Sequence, residues 1–399
     1  MHSIHNKNII HMTDLDLNKK KVLIRVDFNV PIKNNQILSD DRIQASIPTI
    51  NFALKKNAKV ILMSHIGRPK EGQINHNLSI TPIVKYLKKI FHKYNVYFSK
   101  SLQHVPIKPG ELLILENVRF NIGEKTNDSQ LSKKYAELCD IFVMDAFGSA
   151  HRKEASTYGV GLYAKIACAG PLLVSEINAL TKALQNPQRP MVSIVGGAKI
   201  STKFQLLKKL SMISDIVIVG GGIANTFLAI DYNIGKSLHE KKFIPLAKKL
   251  RARNNILIPV DSRIGTEFSD KSIAINKKPS EIKENEEIMD IGNKSIKKIT
   301  QVIQTAKTIL WNGPMGVFEF KNFSIGTRKL AKSIAISKAF SIAGGGETIN
   351  VINMFDIKNN ISYISTGGGA FLEFAEGTKL PAIHMLELSK KKHNINNTI

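Results

Sequence analysis

Residues 191–203 read MVSIVGGAKISTK. An apolar, β-branched run closes on Gly196 and Gly197, and Lys199 and Lys203 follow four residues apart. A short buried strand that ends in glycine and runs into a helix is the first half of a βαβ unit. The common phosphate loop, G-x-x-x-x-G-K-[ST], does not fit, because the glycines come directly before Ala198 and Lys199. The physics of a phosphate cradle is nevertheless present. Glycine lets a backbone approach a ligand closely and turn with positive φ, and a helix start offers free N–H groups to an anion. Lys199 and Lys203 are expected to share one face of the helix they begin.

The same pattern repeats outward in both directions. Before it come KVLIRVDFN (21–29), KVILMSH (59–65), NVYFS (95–99), ELLILEN (111–117) and DIFVMDAFG (140–148). After it come DIVIVGGG (215–222), NILIPVD (255–261), TILWNGP (308–314), FSIAGGG (340–346) and YISTGGG (363–369). Continuous apolar runs alternating with helical stretches indicate parallel strands buried on both faces. In SITPIVKYLKKIF, Thr81 reads as an N-cap and Pro82 as the first helical position. Between the two series, GPLLVSEINALTKALQNPQRP (170–190) reads as a helix of about four turns stopped at Asn186-Pro187. The expected fold is α/β: two doubly wound, Rossmann-like parallel-sheet domains joined by a helix, with a cleft between them. The expected boundaries are 1–170, a connecting helix 171–189, and 190–380, with a Lys-rich tail 381–399.

Composition limits the function. At 399 residues and 43% hydrophobic content, the chain is too long for one ordinary core. No apolar run reaches the roughly 18 residues of a membrane span, and the start, MHSIHNKNII, lacks the apolar core of a signal peptide. The expected location is the cytoplasm. Cys139 and Cys168 stand in apolar stretches and read as buried thiols of a reducing compartment. A net charge of +25 invites a nucleic-acid reading. The lysines are scattered, however, and no aromatic-basic interleaving is visible, so a solvated basic surface is the better account. A nicotinamide dehydrogenase would need G-x-G-x-x-G after a first strand, and none of the glycine clusters provides it.

In doubly wound sheets, ligands bind beyond the carboxyl ends of the strands. In the second half these ends are Gly196-Gly197, Gly220–Gly222, Gly313, Gly344–Gly346 and Gly367–Gly369. One glycine pair is a tight turn; five such ends in one half suggest a nucleotide lying across the rim. In the first half the ends are charged and polar: Asp27 and Asn29, then His65 and Arg68, Arg119, and His151 with Arg152, while Arg42 opens a helix. Guanidinium groups bind phosphate and carboxylate in a bidentate geometry. That rim suits a small polyanion with hydroxyls. One basic rim and one glycine-rich rim imply two substrates and phosphoryl transfer between them.

The motifs RVDFNVP, SHIGRP, ENVRF, DAFGSAHRKEAST, AGPLLVSEI, VGGAKISTK, VGGGIANTF, WNGPMGVFE and STGGGAFLE occur in this order, from about residue 12 to about residue 385. With them the chain resembles the phosphoglycerate kinases. The resemblance implies reversible phosphoryl transfer between 1,3-bisphosphoglycerate and MgADP, giving 3-phosphoglycerate and MgATP. It implies that Asp27, Phe28, Asn29, Arg42, His65, Ile66, Gly67, Arg68, Arg119 and Arg152 hold phosphoglycerate. Gly197, Ala198, Lys203, Gly221, Gly222, Asn312, Glu319, Gly345, Gly346, Glu347 and Thr348 would line the nucleotide site. Catalysis would rest on Arg42, Lys199, Lys203 and the backbone N–H groups of Gly346 and Gly369. It further implies a monomer whose C-terminal tail returns to the first domain. One departure stands out. The family pattern Gly-Gly-Gly-Asp-Thr, whose aspartate meets the nucleotide's magnesium, here reads GGGET, so Glu347 takes that place. Its carboxylate reaches about 1.5 Å further, one C–C bond.

Overall fold

The computed structural model describes residues 8–102 and 106–396. Two compact units emerge: residues up to Asn178 together with those from Lys379, and Ala179–Thr378. The helix Pro171–Leu184 carries the chain from one unit to the other.

The first unit is built on a six-stranded sheet. Its strands are β1 (Lys21–Arg25), β4 (Lys59–Met63), β5 (Val96–Ser99), β6 (Leu112–Leu115), β7 (Ile141–Met144) and β8 (Ile166–Ala169), ordered β5-β6-β4-β1-β7-β8. The intervening β2 (Ile32–Lys33) and β3 (Gln36–Ile37) form only a small hairpin. Every pairing in the large sheet is parallel, with Leu23 beside Ile61 on one side and Phe142 on the other. All residues of β6 and β7 are buried, as strands covered by helices on both faces must be.

The second unit repeats the plan with β9 (Met191–Val195), β10 (Ile216–Val219), β11 (Ile256–Leu257), β15 (Thr308–Asn312), β16 (Phe340–Ala343) and β17 (Tyr363–Ile364), ordered β11-β10-β9-β15-β16-β17. In each sheet the chain works outward to one side and then returns to the other. The reversal falls between β1 and β7 in the first unit and between β9 and β15 in the second. Those are the crevices where a doubly wound sheet opens toward a ligand. The sole tryptophan, Trp311, is fully buried at the second crevice and donates its Nε1–H to the Gly313 carbonyl at 2.9 Å.

Four features differ from the sequence reading. A three-stranded antiparallel sheet, β12 (Ser262–Gly265), β13 (Ile275–Lys277) and β14 (Glu287–Ile291), interrupts the second unit. Its first two strands are short and lack a continuous apolar run, so neither periodicity announces them. The strand β8 was also hidden, because IACA is only four residues long and two of them are alanines, which have little strand preference. The helix Pro381–Asn396 packs against it, and Ser389 Oγ accepts the Ala167 N–H at 2.9 Å. Thr81 is the first helical residue rather than the cap. The cap comes from a distance: the Glu116 carboxylate accepts the Ile80 N–H at 2.8 Å and the Ser79 hydroxyl at 2.7 Å. Finally, the helix after the opening glycines begins at Phe204, so neither Lys199 nor Lys203 lies within it. Among the described residues, no helix is long and apolar enough to cross a membrane.

Candidate active site

The first unit presents a polar rim at the ends of β1 and β4. Asp27, 5% exposed, folds the turn after β1 by accepting the Asn29 N–H at 3.0 Å. Asn29 Oδ1 then accepts the Gly67 N–H at 2.9 Å, which ties the end of β1 to the loop after β4. Gly67 has φ +60°, and a Cβ there would come within 2.6 Å of Leu78, so the loop needs glycine. Phe28 is buried and donates its N–H to Ser64 Oγ at 2.8 Å; Ile66 is buried, and its carbonyl accepts from Asn117 Nδ2 at 2.9 Å.

The arginines stand on this frame. Arg42 donates to Asp27 Oδ2 at 3.0 Å and to the Asn29 carbonyl at 3.2 Å. Arg119 donates to the Gly67 carbonyl at 2.6 Å and to Glu154 Oε1 at 2.9 Å, while its Nε is buried with no partner. His65 is 1% exposed and lies between two guanidinium groups, Arg25 Nη2 at 3.0 Å from Nδ1 and Arg152 Nη1 at 3.3 Å from Nε2. Burial, and then the charges of Arg25, Arg119, Arg152 and Arg42, hold its pKa well below 6.5, so the ring is neutral at physiological pH. Asp27, Phe28, Asn29, Arg42, His65, Ile66, Gly67, Arg119 and Arg152 are therefore bound into one rim, whereas Arg68 is exposed.

In the second unit, Gly196 and Gly197 follow β9, and Asn312 ends β15 with Gly313 directly after it. The Gly196 N–H meets the Asn312 carbonyl at 2.9 Å. Lys203 folds back over this junction and donates its Nζ to the Gly196 carbonyl at 2.7 Å. Burial lowers its pKa, with Glu347 opposing the shift. The Glu347 carboxylate stands across Gly197 from the same amine. A Cβ on Gly197 would lie 3.2 Å from Lys203 Nζ and 3.4 Å from Glu347 Oε2. Thr348 Oγ1 accepts the Gly313 N–H at 2.8 Å, and Asn312 Nδ2 reaches the Gly344 carbonyl at 2.7 Å, leaving Asn312 Oδ1 buried and unpartnered. Gly345, at φ +99°, turns the chain into the helix Gly346–Met354, whose start has no side-chain cap and whose first two residues, Gly346 and Glu347, are exposed.

Beside this polar corner lies a cavity of about 230 Å³. Gly197, Ala198, Gly221 and Gly222 form one wall, and Leu238, Met315 and Val317 supply apolar surface. Glu319 and Glu347 also line it. The wall is closely fitted: Cβ atoms on Gly221 and Gly222 would lie 2.7 and 2.0 Å from the carbonyl oxygens of Gly197 and Ala198. A narrow apolar slot with a few convergent polar groups suits a flat heteroaromatic ring. Lys199 is exposed on the turn before Lys203, and Gly369 is exposed where the helix Gly369–Ala375 begins.

Sequence reasoning missed Arg25, Glu124, Glu154 and Ser156, all buried behind the arginine rim. A signal existed for Arg25: a charge inside the apolar run KVLIRV is unexpected unless it is paired. Nothing local marked the apolar walls of the cavity: Met315 is buried like any core residue, and Leu238 is an exposed leucine of the kind any surface carries.

Two doubly wound parallel sheets, one edged with arginines and a histidine, the other with glycines and a half-buried lysine, define an α/β phosphotransferase. The sequence pattern of the family described as "Phosphoglycerate kinase" matches residues 12–378. The chain belongs to the phosphoglycerate kinase family, whose members are phosphotransferases of glycolysis. A phosphoglycerate kinase of Buchnera aphidicola subsp. Schizaphis graminum (strain Sg) is 64% identical over 382 residues, 95% of this chain and 98% of that one. The enzyme of Buchnera aphidicola subsp. Baizongia pistaciae (strain Bp) is 62% identical over 391 residues, 98% of this chain and 100% of that one. The solved structure of phosphoglycerate kinase from Coxiella burnetii superposes with a TM-score of 0.90 at 47% identity, covering 95% of this chain and 98% of its own.

Proposed function

We propose that the first unit takes 3-phosphoglycerate or 1,3-bisphosphoglycerate at its arginine rim and that the second takes MgATP or MgADP at its glycine-lined cavity. The observation that carries this reading is the placement of neutral His65 between Arg25 and Arg152, beside Arg42 and Arg119, on one rim. The acceptor for ATP's phosphoryl group is a carboxylate, ionised at neutral pH, so no general base is required. Catalysis then consists of in-line positioning and charge neutralisation. Arg42 bridges the carboxyl group and the moving phosphoryl group. Lys203, held at Gly196, and Lys199 neutralise its equatorial oxygens, and the N–H groups of Gly346 and Gly369 add donors.

Magnesium belongs to this reading as a companion of the nucleotide. Among the described residues, no cluster of three or more His, Cys, Asp or Glu side chains forms a self-sufficient metal cage. A single carboxylate beside the phosphate corner fits a cation that keeps its waters and is otherwise bound by substrate phosphates. Glu347 is that carboxylate, and the metal would supply charge neutralisation between the phosphates. The same reading makes the protein a cytoplasmic monomer.

The test is ADP formation from ATP and 3-phosphoglycerate with magnesium titrated, for the protein and its Glu347→Asp variant. Activity in both, with the variant saturating at lower magnesium, is the expected outcome. No activity from either folded protein would overturn the reading.

A further inference from the structure

Behind the arginine rim, Glu124 is fully buried. Both of its carboxylate oxygens accept hydrogen bonds. Ser156 Oγ donates to Oε1 in a short contact, and the Tyr135 hydroxyl donates to Oε2 at 3.3 Å. Asn121 Nδ2 donates in turn to the Tyr135 hydroxyl at 3.0 Å. Because Ser156 gives its proton to Glu124, its oxygen is left to accept from Arg25 Nε at 3.0 Å. Ser156 lies in a single π-helical turn, Ala155–Gly159, a geometry frequent at functional positions. Arg25 is itself fully buried, with Nη1 on the Val26 carbonyl at 2.6 Å and Nη2 on His65 Nδ1 at 3.0 Å.

This chain of bonds decides a proton. A guanidinium has five donors and no acceptor. The neutral ring can accept from only one of its two arginines; Arg25 is the closer and is held by two further bonds, so His65 Nδ1 accepts from Arg25 and the ring proton sits on Nε2. The other tautomer would set an N–H against Arg25, which two further bonds hold in place. On the other side, Nε2 faces Arg152 Nη1 at 3.3 Å, and Arg152 has solvent on one side. Two donors thus converge where one acceptor oxygen satisfies both.

We propose that Glu124 is a positioning residue for the phosphoglycerate site: through Ser156 and Arg25 it fixes His65 as the neutral Nε2–H tautomer, so that His65 and Arg152 donate together to one substrate oxygen. This rests on the reading of the rim as the phosphoglycerate site. The charged and titratable groups facing Glu124 are Arg25, Glu154 and Tyr135, and those facing His65 are Arg25, Arg119, Arg152 and Arg42. Burial, opposed by Ser156 and Arg25, raises the Glu124 pKa to about 7. As pH falls through that value the carboxylate takes up a proton, and the relay loses the charge that anchors Arg25.

The full-length protein and its Glu124→Gln and Ser156→Ala variants test this. The measurements are kcat and both KM values from pH 6 to 8, together with ¹⁵N spectra of the imidazoles, with His65 assigned from a His65→Gln spectrum. In the wild type, the expected results are a protonated Nε2, an unprotonated Nδ1, and a KM for 3-phosphoglycerate that rises below pH 7. In Glu124→Gln that KM rises about tenfold at pH 8, loses its pH dependence, and the His65 tautomers mix, with the ATP KM unchanged. Ser156→Ala, which cuts the relay without altering charge, shifts KM and tautomer in the same direction and serves alone if Glu124→Gln does not fold. A Ser156→Ala protein with wild-type KM and wild-type His65 signals overturns the proposal. If 3-phosphoglycerate leaves the wild-type His65 signals unmoved, the rim reading itself fails. If it moves them but the variants bind it as the wild type does, the rim stands and Glu124 has no positioning role.

Discussion

At Gly196 the backbone has no room for a side chain: a Cβ would stand 1.8 Å from the Pro314 carbonyl oxygen. That contact is backbone on backbone, so no rotamer change relieves it. Gly196→Ala should therefore push β9 and β15 apart where Gly196 and Asn312 are bonded. The expected cost is about 3 kcal/mol of stability, read as a fall in the urea midpoint, together with a higher KM for ATP. A variant with a wild-type midpoint would show that the two strand ends have more freedom than their close approach indicates. This is the part of the site that the sequence displayed most openly, since paired glycines at a strand end mark close approach before any contact is known. Glu124 and Ser156 gave no such mark. Each is an ordinary polar residue in its own neighbourhood, and only the packing of segments 32 residues apart makes them partners.

Two helices owe their starts to carboxylates from other segments. Glu116 takes the Ile80 N–H and the Ser79 hydroxyl at the start of Thr81–Ile90, work that a local N-cap would otherwise do. Glu116→Ala should lower stability by about 1–2 kcal/mol in denaturant unfolding, and an unchanged midpoint would remove Glu116 from the cap. Asp145 does the same for Pro171–Leu184, accepting the Leu173 N–H at 3.1 Å. This carboxyl is fully buried, and burial raises its pKa to about 7. The folded state therefore holds the proton more tightly than the unfolded chain. The contribution to stability is present below the unfolded value near 4 and is lost as pH rises to about 7. Asp145→Asn mimics the protonated acid. Its Tm should gain on the wild type as pH rises from 5 to 8, and a constant difference across that range would mean that Asp145 does not titrate there.

Across the whole molecule, a net charge of +25 sets the long-range field. Both proposed substrates are polyanions, so that field should raise their encounter rate while like charges strain the fold. Raising potassium chloride from about 50 to 300 mM shortens the Debye length. The kcat/KM for 3-phosphoglycerate should fall severalfold while Tm rises. Salt independence of both would mean that the scattered lysines are locally compensated.

The sequence by itself determined the alternation of buried strands and helices, the parallel sheets, and the contrast between a glycine-rich and an arginine-rich set of strand ends. These are local properties: apolar runs report burial on both faces, and glycine or arginine after a run reports what the strand end must do. Tertiary structure decided the rest. It made Lys203 a cap folded over Gly196 rather than a helical neighbour of Lys199, and it laid Pro381–Asn396 against β8. It also joined Glu124, Ser156, Arg25 and His65 into one relay. Such partnerships depend on which distant segments share a buried space. No periodicity encodes that, because burial turns a weak polar preference into an obligatory bond only after the chain has closed.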